Sequence, residues 1–324
     1  MNSIETTFTF GREQTFDNLT IVPLLGTSSS DPGYDTLDEA LARGALHITE
    51  VTESGSVPEI KVRNDGRRPV LIIDGEELVG AKQNRTVNLT ILVGPVSELI
   101  VPVTCVESGR WHARSRNFSA SPRTHFAAGR AAKSTQVSDS LLREGVARAD
   151  QSEVWSQIAA MSASLEARSA TSAMSDIFEA QARPVESFVR GLPVVENQVG
   201  AVFVLNGEPA GVDLFDNVRT FRTLGPKILR GYALDAIDRR AGGSASASGV
   251  PASHVQTGVR HFMRSVLAAP RTPFAAPGLG QTWRLFAPGI SGGGLDAGDS
   301  LVHLSAFTVD SSWLRKPRGE SSAT

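Results

Sequence analysis

The chain has 324 residues, a mass of 34.4 kDa and a formal net charge of -2. Hydrophobic residues make up 40% and charged residues 20% of it, a globular composition that excludes a disordered chain. No apolar run reaches the roughly 18 residues of a membrane-spanning helix, and the small net charge predicts neither membrane nor bulk nucleic-acid binding. Because the first residues also lack the pattern of a signal peptide, we expect a cytoplasmic protein.

Residues 17–111 are rich in short β-strand patterns. Segments of Val, Ile and Thr end at Gly, Pro, Asn or Asp, as strands do. Short turns connect the segments after residue 46, which favours antiparallel pairing. One helix interrupts the series, because Leu37, Ala40 and Leu41 recur at helical spacing before Gly44. The predicted strands are 19–26, 46–51, 59–64, 69–74, 86–93 and 98–106.

The second part of the chain mixes helices with returning strands. In its middle, Val154, Ile158, Met161 and Leu165 share one helix face, and Asp150 is a suitable cap for the start of that helix. The segment "NGEPAG" between two apolar runs is a strong hairpin signal. The predicted order is a basic loop at 112–136, helices within 137–190, a hairpin at 198–217, helices and returning strands over 224–310 with a surface loop at 241–253, and a flexible tail at 315–324.

These elements predict an α+β fold. We expect one domain over residues 1–314, built on an antiparallel β-sandwich or roll. A helical segment lies in its middle, and further helices precede the C-terminal strands.

The stretch "LIIDGEELVGAKQNRTVNL" (71–89) interrupts predicted strands with charges and amides. Gly75 and Gly80 allow a positive φ or a close backbone approach, so they predict a tight arch there. Thr86, Asn88 and Thr90 are expected to face water or a cavity. Such an arch would present a point cation, two amides and a planar fork, which suit phosphates, ribose hydroxyls and base edges. The predicted ligand-binding residues of the arch are Lys82, Gln83, Asn84 and Arg85.

Carboxylates and one thiol complete the candidate site. Because the strands 69–74, 86–93 and 98–106 are expected to pair in order, the acidic residues would meet at one sheet end. Converging carboxylates can share acid and base roles by shifting each other's pKa, or they can bind Mg²⁺. Cys105 excludes an internal disulfide, since it is the only cysteine, and is a candidate nucleophile. The predicted catalytic residues are Glu76, Glu77, Cys105 and Glu107, with Asp74 nearby.

A basic stretch follows the acidic one. No Asp or Glu occurs between Glu107 and Asp139, whereas six Arg or Lys residues do. A long basic loop beside carboxylates suits a phosphate-bearing substrate. Arg110 and Trp111 are predicted to contact the ligand. The cations are Arg110, Arg114, Arg116, Arg123, Arg130 and Lys133.

Every one of these residues also has a plain structural interpretation. Cys105 suits a small core residue, because no histidine is adjacent to it in sequence. Glu76 and Glu77 suit a solvated turn, Lys82 and Arg85 suit surface ion pairs, and Trp111 suits packing. The six histidines lack the paired spacing of a transition-metal site.

Two pairs of segments carry a family resemblance. "DGEELVGAKQNR" (74–85) with "CVESGRW" (105–111) resembles the domain family named for its association with ADP-ribosylglycohydrolases and rhodanese-type phosphatases. "SEVW" (152–155) and "NQVGAVFVLNGEPAGVDLF" (197–215) resemble it too. The resemblance implies a link to NAD-derived or ADP-ribosyl chemistry and an ADP-ribosylglycohydrolase-type enzyme as a partner. It transfers no reaction and no catalytic residue.

Three hypotheses remain open at this point. The chain is a hydrolase or transferase for an ADP-ribosyl or other phosphate-bearing nucleotide-like small molecule, with Glu77 or Glu107 as general acid or base. Alternatively, it is a non-catalytic module that binds such a ligand or docks onto a partner enzyme. In a third hypothesis, the charged arch is an assembly surface.

Overall fold

A computed structural model describes residues 8–27, 30–52, 55–242 and 251–309. Most of the predicted loop 241–253 and all of the predicted tail 315–324 lie outside these residues. The prediction of a single domain over 1–314 stays a prediction. Within the described ranges, no helix has both the length and the apolar character that crossing a bilayer requires.

The described residues form eighteen strands and seven helices. The strands are β1 (Phe8–Phe10), β2 (Gln14–Phe16), β3 (Leu19–Gly26), β4 (Asp35–Thr36), β5 (Leu46–Glu50), β6 (Glu59–Asn64), β7 (Val70–Ile72), β8 (Glu76–Gly80), β9 (Arg85–Val87), β10 (Ile91–Val93), β11 (Ser97–Cys105), β12 (Phe118–Thr124), β13 (Gln198–Leu205), β14 (Glu208–Phe215), β15 (Arg271–Ala275), β16 (Gln281–Ala287), β17 (Ile290–Ala297) and β18 (Ser300–Thr308). The helices are α1 (Leu37–Ala42), α2 (Ala127–Glu144), α3 (Gln151–Ser164), α4 (Met174–Ala180), α5 (Ala182–Gly191), α6 (Val218–Ala241) and α7 (Ala252–Ala268). The predicted α+β class is confirmed.

The largest sheet is antiparallel and joins both ends of the described chain. Its order is β1-β3-β13-β14-β18-β17-β16-β15, and β2 also pairs with β3. The predicted hairpin is formed by β13 and β14, with Leu205 opposite Glu208. Asn206 and Gly207 both have positive φ, the conformation that an Asn-Gly turn supplies between two strands. The returning strands β15 to β18 complete this sheet, with β15 at its edge.

A second sheet, in the order β12-β8-β9-β11-β6-β5, curls until β12 and β5 contact each other. Beside it, β10 pairs with β7, and β7 pairs in parallel with β4. The expected pairing of strands 69–74, 86–93 and 98–106 in order is confirmed, since 91–93 pair with 70–72 and 85–87 pair with 103–105. The middle strand divides into β9 and β10, however, so the three segments do not form one continuous sheet.

The division of that strand has a side-chain cause. Asn88 Nδ2 donates to Ala147 O, and Thr90 Oγ1 accepts from Asp74 N and lies 2.7 Å from His303 Nδ1. The side chains of Asn88 and Thr90 thus bond to neighbouring elements where the strand divides, while Asn88 N still donates to Pro102 O of β11. The expectation that Thr86, Asn88 and Thr90 face water or a cavity is wrong, since all three are buried.

The interpretation of 112–136 as one basic loop is wrong for residues 118–136. They form β12 and the first half of α2. The physical reason is that the cations are interior partners of distant carboxylates. Arg130 donates to Asp213, and Lys133 donates to Asp74 at 2.5 Å. The positive charges of Arg130 and Lys133 are thus neutralised by carboxylates from other parts of the chain rather than by solvent.

Helix α3 packs against β11 of the curled sheet, whereas α2 packs against β17 and β18 of the large sheet and α5 packs against α6 and β2. The predicted stripe Val154, Ile158, Met161 and Leu165 is buried, and Asp150 caps α3 by accepting from Ser152 N and Glu153 N. The helices predicted after residue 224 are α6 and α7, and α6 begins earlier than expected, at Val218.

Helix α2 is capped by a residue from another helix. Its own N-cap residue, Phe126, makes no side-chain cap bond, but Asp235 of α6 accepts from Ala128 N at 3.1 Å. Burial raises the pKa of Asp235 to about 7 from an ordinary 3.8. The packing of α6 against α2 therefore depends on a carboxyl group that titrates near neutrality.

We predict that Asp235 makes stability fall as the pH rises from 5 to 8. The folded state holds the proton more tightly than the unfolded state, so this stabilisation is full below about pH 3.8 and is lost as the pH passes 7. Two pH units in this window correspond to about 3 kcal/mol at most. Asp235→Asn should flatten the dependence in urea unfolding at pH 5 and pH 8.

The matched control is Asp139→Asn, whose carboxylate on α2 is 53% exposed. It should leave the pH dependence of the parent unchanged. Equal pH slopes for the parent and Asp235→Asn would contradict this account of Asp235.

Candidate functional site

The predicted arch is a turn of residues 81–84 that joins β8 to β9, and we call it turn 81–84. Gly80 has φ +126°, and a Cβ there would lie 2.6 Å from Ser115 Oγ. Gly75 has φ +86°, and its missing Cβ leaves room for the Arg130 side chain. Both glycines are thus required by positive φ and close approach, as the sequence indicated. Glu76 and Glu77 lie in β8 rather than in the turn.

The acidic residues do not converge on one point. Each of the four has its own cationic partner and is buried, so shared acid and base roles have no geometric basis. The pairs are Asp74 with Lys133 and Arg130, Glu76 with Lys227, Glu77 with Arg123, and Glu107 with Arg110.

Glu76 and Glu77 point to different partners because they are neighbours in a strand. Glu76 accepts from Lys227 Nζ at 2.7 Å and from Ile73 N at 3.0 Å. Burial raises the pKa of Glu76, and Lys227 opposes that rise. Glu77 Oε2 accepts from Arg123 Nε at 2.7 Å, whereas its Oε1 has no hydrogen-bond partner among the described residues.

Glu107 and Arg110 form a bidentate clamp on turn 81–84. Arg110 Nε and Nη2 donate to the two Glu107 oxygens at 2.9 and 2.6 Å. Glu107 also accepts from Thr171 Oγ1 and Asn84 N, and Arg110 donates to Ala81 O. Burial alone would raise the pKa of Glu107, but the bonds from Arg110, Thr171 and Asn84 hold it below its ordinary value. An ionised carboxylate with four hydrogen bonds is better suited to positioning the turn than to donating a proton.

Arg85 and Cys105 face each other across β9 and β11. Cys105 is buried, and its Sγ accepts from Arg85 Nη1 at 2.7 Å. Burial raises the pKa of Cys105 to about 11, so at neutral pH the sulfur is a thiol rather than a nucleophilic thiolate.

The guanidinium of Arg85 retains unused donors although it is fully buried. Nη1 also donates to Gln83 Oε1 at 3.0 Å, and Nη2 lies 3.6 Å from Glu50 Oε1. Nε and Nη2 make no hydrogen bond within the described part of the chain. A buried donor without an acceptor costs about 1–3 kcal/mol, so this guanidinium is prepared for an additional acceptor.

Trp111 lies beside these cations and is 46% exposed. Its ring centroid is 5.8 Å from the Arg85 guanidinium carbon and 5.5 Å from Lys82 Nζ. Lys82 N also donates to Glu50 Oε1 at 3.3 Å. We call the set of Glu50, Lys82, Gln83, Arg85, Cys105 and Trp111 the arch cluster.

The arch cluster contains five predicted site residues and one, Glu50, that sequence reasoning missed. Glu50 is the last residue of β5 and has no local motif that marks it. Asn84, Glu107 and Arg110 form the clamp beneath the cluster, whereas Glu76 and Glu77 lie outside it. Two cations face one carboxylate here, and an exposed aromatic ring lies next to them. Such a set can bind an anionic group together with a flat ring.

The described residues contain no group of three or more His, Cys, Asp or Glu side chains arranged to hold a metal ion. The carboxylates that suggested Mg²⁺ in the sequence are instead bound to Arg and Lys.

Comparison with known proteins gives one match. The model of the ARG and Rhodanese-Phosphatase-superfamily-associated Protein domain matches residues 7–307. No curated protein and no solved structure matches the chain.

We predict that Glu107→Gln destabilises the protein by about 3 kcal/mol. The substitution leaves Arg110 charged, buried and without an anionic partner. Urea unfolding at pH 7 measures the loss.

Glu98→Gln is the control, because Glu98 is 47% exposed and pairs with Lys61 at the surface. It should change stability by less than about 1 kcal/mol. If Glu107→Gln unfolds at the same urea concentration as the parent, Glu107 does not hold the turn.

Proposed function

We propose that this chain, which belongs to the ARG and Rhodanese-Phosphatase-superfamily-associated Protein domain family, is a non-catalytic binding module for a phosphate-bearing, nucleotide-like ligand. The observation that carries the proposal is the buried Arg85, whose Nε and Nη2 have no hydrogen-bond partner among the described residues. The exposed ring of Trp111 lies beside it.

The chemistry of the arch cluster supports a phosphate as the anionic group. A guanidinium presents parallel N–H donors that match two phosphate oxygens, and Lys82 adds a point charge next to it. Cys105 and Gln83 hold Arg85 through neutral acceptors, so its positive charge is retained for the ligand. Glu50 is the acidic residue of the cluster, and its Oε1 lies 3.6 Å from Arg85 Nη2.

Trp111 supports a planar group on the same ligand. An exposed indole provides a face on which a base can stack, and stacking contributes about 1–3 kcal/mol per base. A phosphate held near Arg85 and Lys82 would place an attached nucleoside within reach of that ring. The family name links the domain to ADP-ribosylglycohydrolase (ARG) proteins, which makes ADP-ribose the first ligand to test.

The proposal favours binding over turnover because the expected catalytic groups are engaged. Glu107 is ionised and fully hydrogen-bonded, Glu76 is paired with Lys227, and Cys105 is a neutral thiol. In this role the module binds its ligand itself or brings it to a partner such as an ADP-ribosylglycohydrolase-type enzyme.

We predict that ADP-ribose binds the parent protein in a calorimetric titration. Trp111→Ala should weaken binding by about 5- to 150-fold because the stacking surface is lost. Arg85→Lys should weaken it by about tenfold or more, since a lysine keeps the charge but lacks the fork. Adenosine, without phosphates, should bind far more weakly than ADP-ribose.

The controls are Leu142→Ala, an exposed apolar side chain, and Arg168→Lys, an exposed arginine. Both should bind ADP-ribose like the parent. Absence of binding by the parent, or undiminished binding by Trp111→Ala and Arg85→Lys, would remove the proposal.

A hydrolase is the second candidate, and one observation favours it. Glu77 Oε1 and Thr86 Oγ1 are both buried without hydrogen-bond partners in the described residues, and the two residues are opposite each other in the ladder. Such a pair could accept and pass a proton if a substrate reached it.

The two candidates differ in the fate of the ligand. Incubation with NAD, ADP-ribose or ADP-ribosylated peptide, with and without Mg²⁺, should give no product if the module only binds. If the chain is a hydrolase, the parent should form product and Glu77→Gln should not. Glu59→Gln, which changes an exposed carboxylate, should form product like the parent.

A further inference from the structure

An apolar cavity of about 260 Å³ lies away from the arch cluster. It is bounded by the end of α5, the segment that follows α5 and the first half of α6, above strands β3 and β13. Most of its lining belongs to the buried core, including Ile21, Leu192, Phe203, Phe221 and Leu229.

The walls of the cavity offer few hydrogen-bond donors. Pro193 and Pro226 line it, and proline has no backbone N–H. Gln198 also lines it, but its side chain is already bonded, since Oε1 accepts from Val195 N and Nε2 donates to Gly200 O. The space therefore suits an apolar body rather than a sugar or a peptide.

One charged residue, Arg222, is among those that line the cavity. It is exposed and makes no hydrogen bond or ion pair with any described residue. Other arginines of the same helix differ, because Arg219 pairs with Glu39 at 2.6 Å and Arg230 pairs with Glu186 at 2.7 Å. Arg222 is thus a cation available to an anion beside an apolar space.

We propose that this cavity binds a small aromatic carboxylate, with its ring system among the apolar side chains and its carboxylate on Arg222. A cavity of about 150 Å³ holds a benzene molecule, so 260 Å³ suits two fused rings. Phe203 and Phe221 provide aromatic surface, and Phe203 is held in place by stacking on Tyr232 at 3.9 Å. Arginine binds a carboxylate through two parallel hydrogen bonds.

The probe for this site is 2-naphthoate, and its binding to the full chain is measured by calorimetric titration. We expect one molecule to bind per chain. The neutral analogue 2-naphthamide should bind about tenfold more weakly, which equals the loss of one charge-assisted contact of about 1.4 kcal/mol.

Two variants distinguish the parts of the site. Arg222→Gln should weaken the binding of 2-naphthoate by about tenfold or more and leave the affinity for 2-naphthamide unchanged. Val194→Phe should abolish binding of both, because Val194 lines the cavity and is only half-buried, so a larger ring can fill the space without disturbing the core. Val189→Phe, also half-buried, is the substitute if Val194→Phe fails to fold.

Arg264→Gln, an exposed arginine on α7, is the matched control and should bind like the parent. Arg85→Lys should also leave 2-naphthoate binding unchanged, which separates this site from the arch cluster. No saturable binding by the parent, or equal affinity in both phenylalanine variants, would overturn the proposal. If Arg222→Gln and the parent bind 2-naphthoate with equal affinity, Arg222 does not recognise the carboxylate.

Discussion

The buried guanidinium of Arg130 connects the parts of this fold. It donates to both oxygens of Asp213 in the large sheet, and its Nε lies 3.9 Å from Asp74, which follows β7 of the three-stranded sheet β10-β7-β4. Lys133, one helical turn further along α2, bonds to the other oxygen of Asp74. Helix α2 is therefore attached to two sheets through interior charges. Removing Asp74 would leave the buried ammonium of Lys133 without its carboxylate partner, at a cost of about 3–5 kcal/mol.

The same constraint shapes the backbone around the site. Gly75 cannot carry a side chain, because the stem of Arg130 occupies the space where a Cβ would lie. Glu107 and Arg110 repeat the arrangement at turn 81–84, where the pair bonds the backbone at both ends of the turn. Since the carboxylates are used to neutralise interior cations, the acidic motif serves mainly to build the scaffold. In the arch cluster, by contrast, Arg85 Nε and Nη2 have no hydrogen-bond partner among the described residues.

Local patterns were sufficient to predict much of the fold. The turn at Asn206 and Gly207, the cap at Asp150 and the apolar stripe of α3 all depend on residues within a few positions of each other. The failures concern partners that are far apart in sequence. Arg130 and Asp213 are separated by 83 positions, and Lys227 and Glu76 by 151. No local signal distinguishes a cation that will enter the core from one in a solvated loop, so residues 118–136 were misjudged.

The same reasoning explains the mixed outcome for the site. Lys82, Gln83, Arg85, Cys105 and Trp111 were predicted from two short motifs, and β9 and β11 bring those motifs together. Strand alternation separates Glu76 from Glu77, but the glycines that flank β8 favour a turn, so no local pattern indicates this strand. Glu50 was missed because it arrives from β5, whose link to the site depends on how the curled sheet closes.

Cys105 gives Arg85 a hydrogen-bond acceptor that carries no negative charge, whereas a carboxylate at the same position would neutralise the guanidinium. Its thiol accepts from Arg85 Nη1 but carries no charge, because burial raises its pKa to about 11. The guanidinium is therefore held in one orientation by Cys105 and Gln83 while keeping most of its positive charge. A fork that is already oriented loses little side-chain entropy when it binds an anion, so more of the interaction energy appears as affinity. In the proposed binding role, the neutral thiol would hold the buried guanidinium in place without cancelling its positive charge.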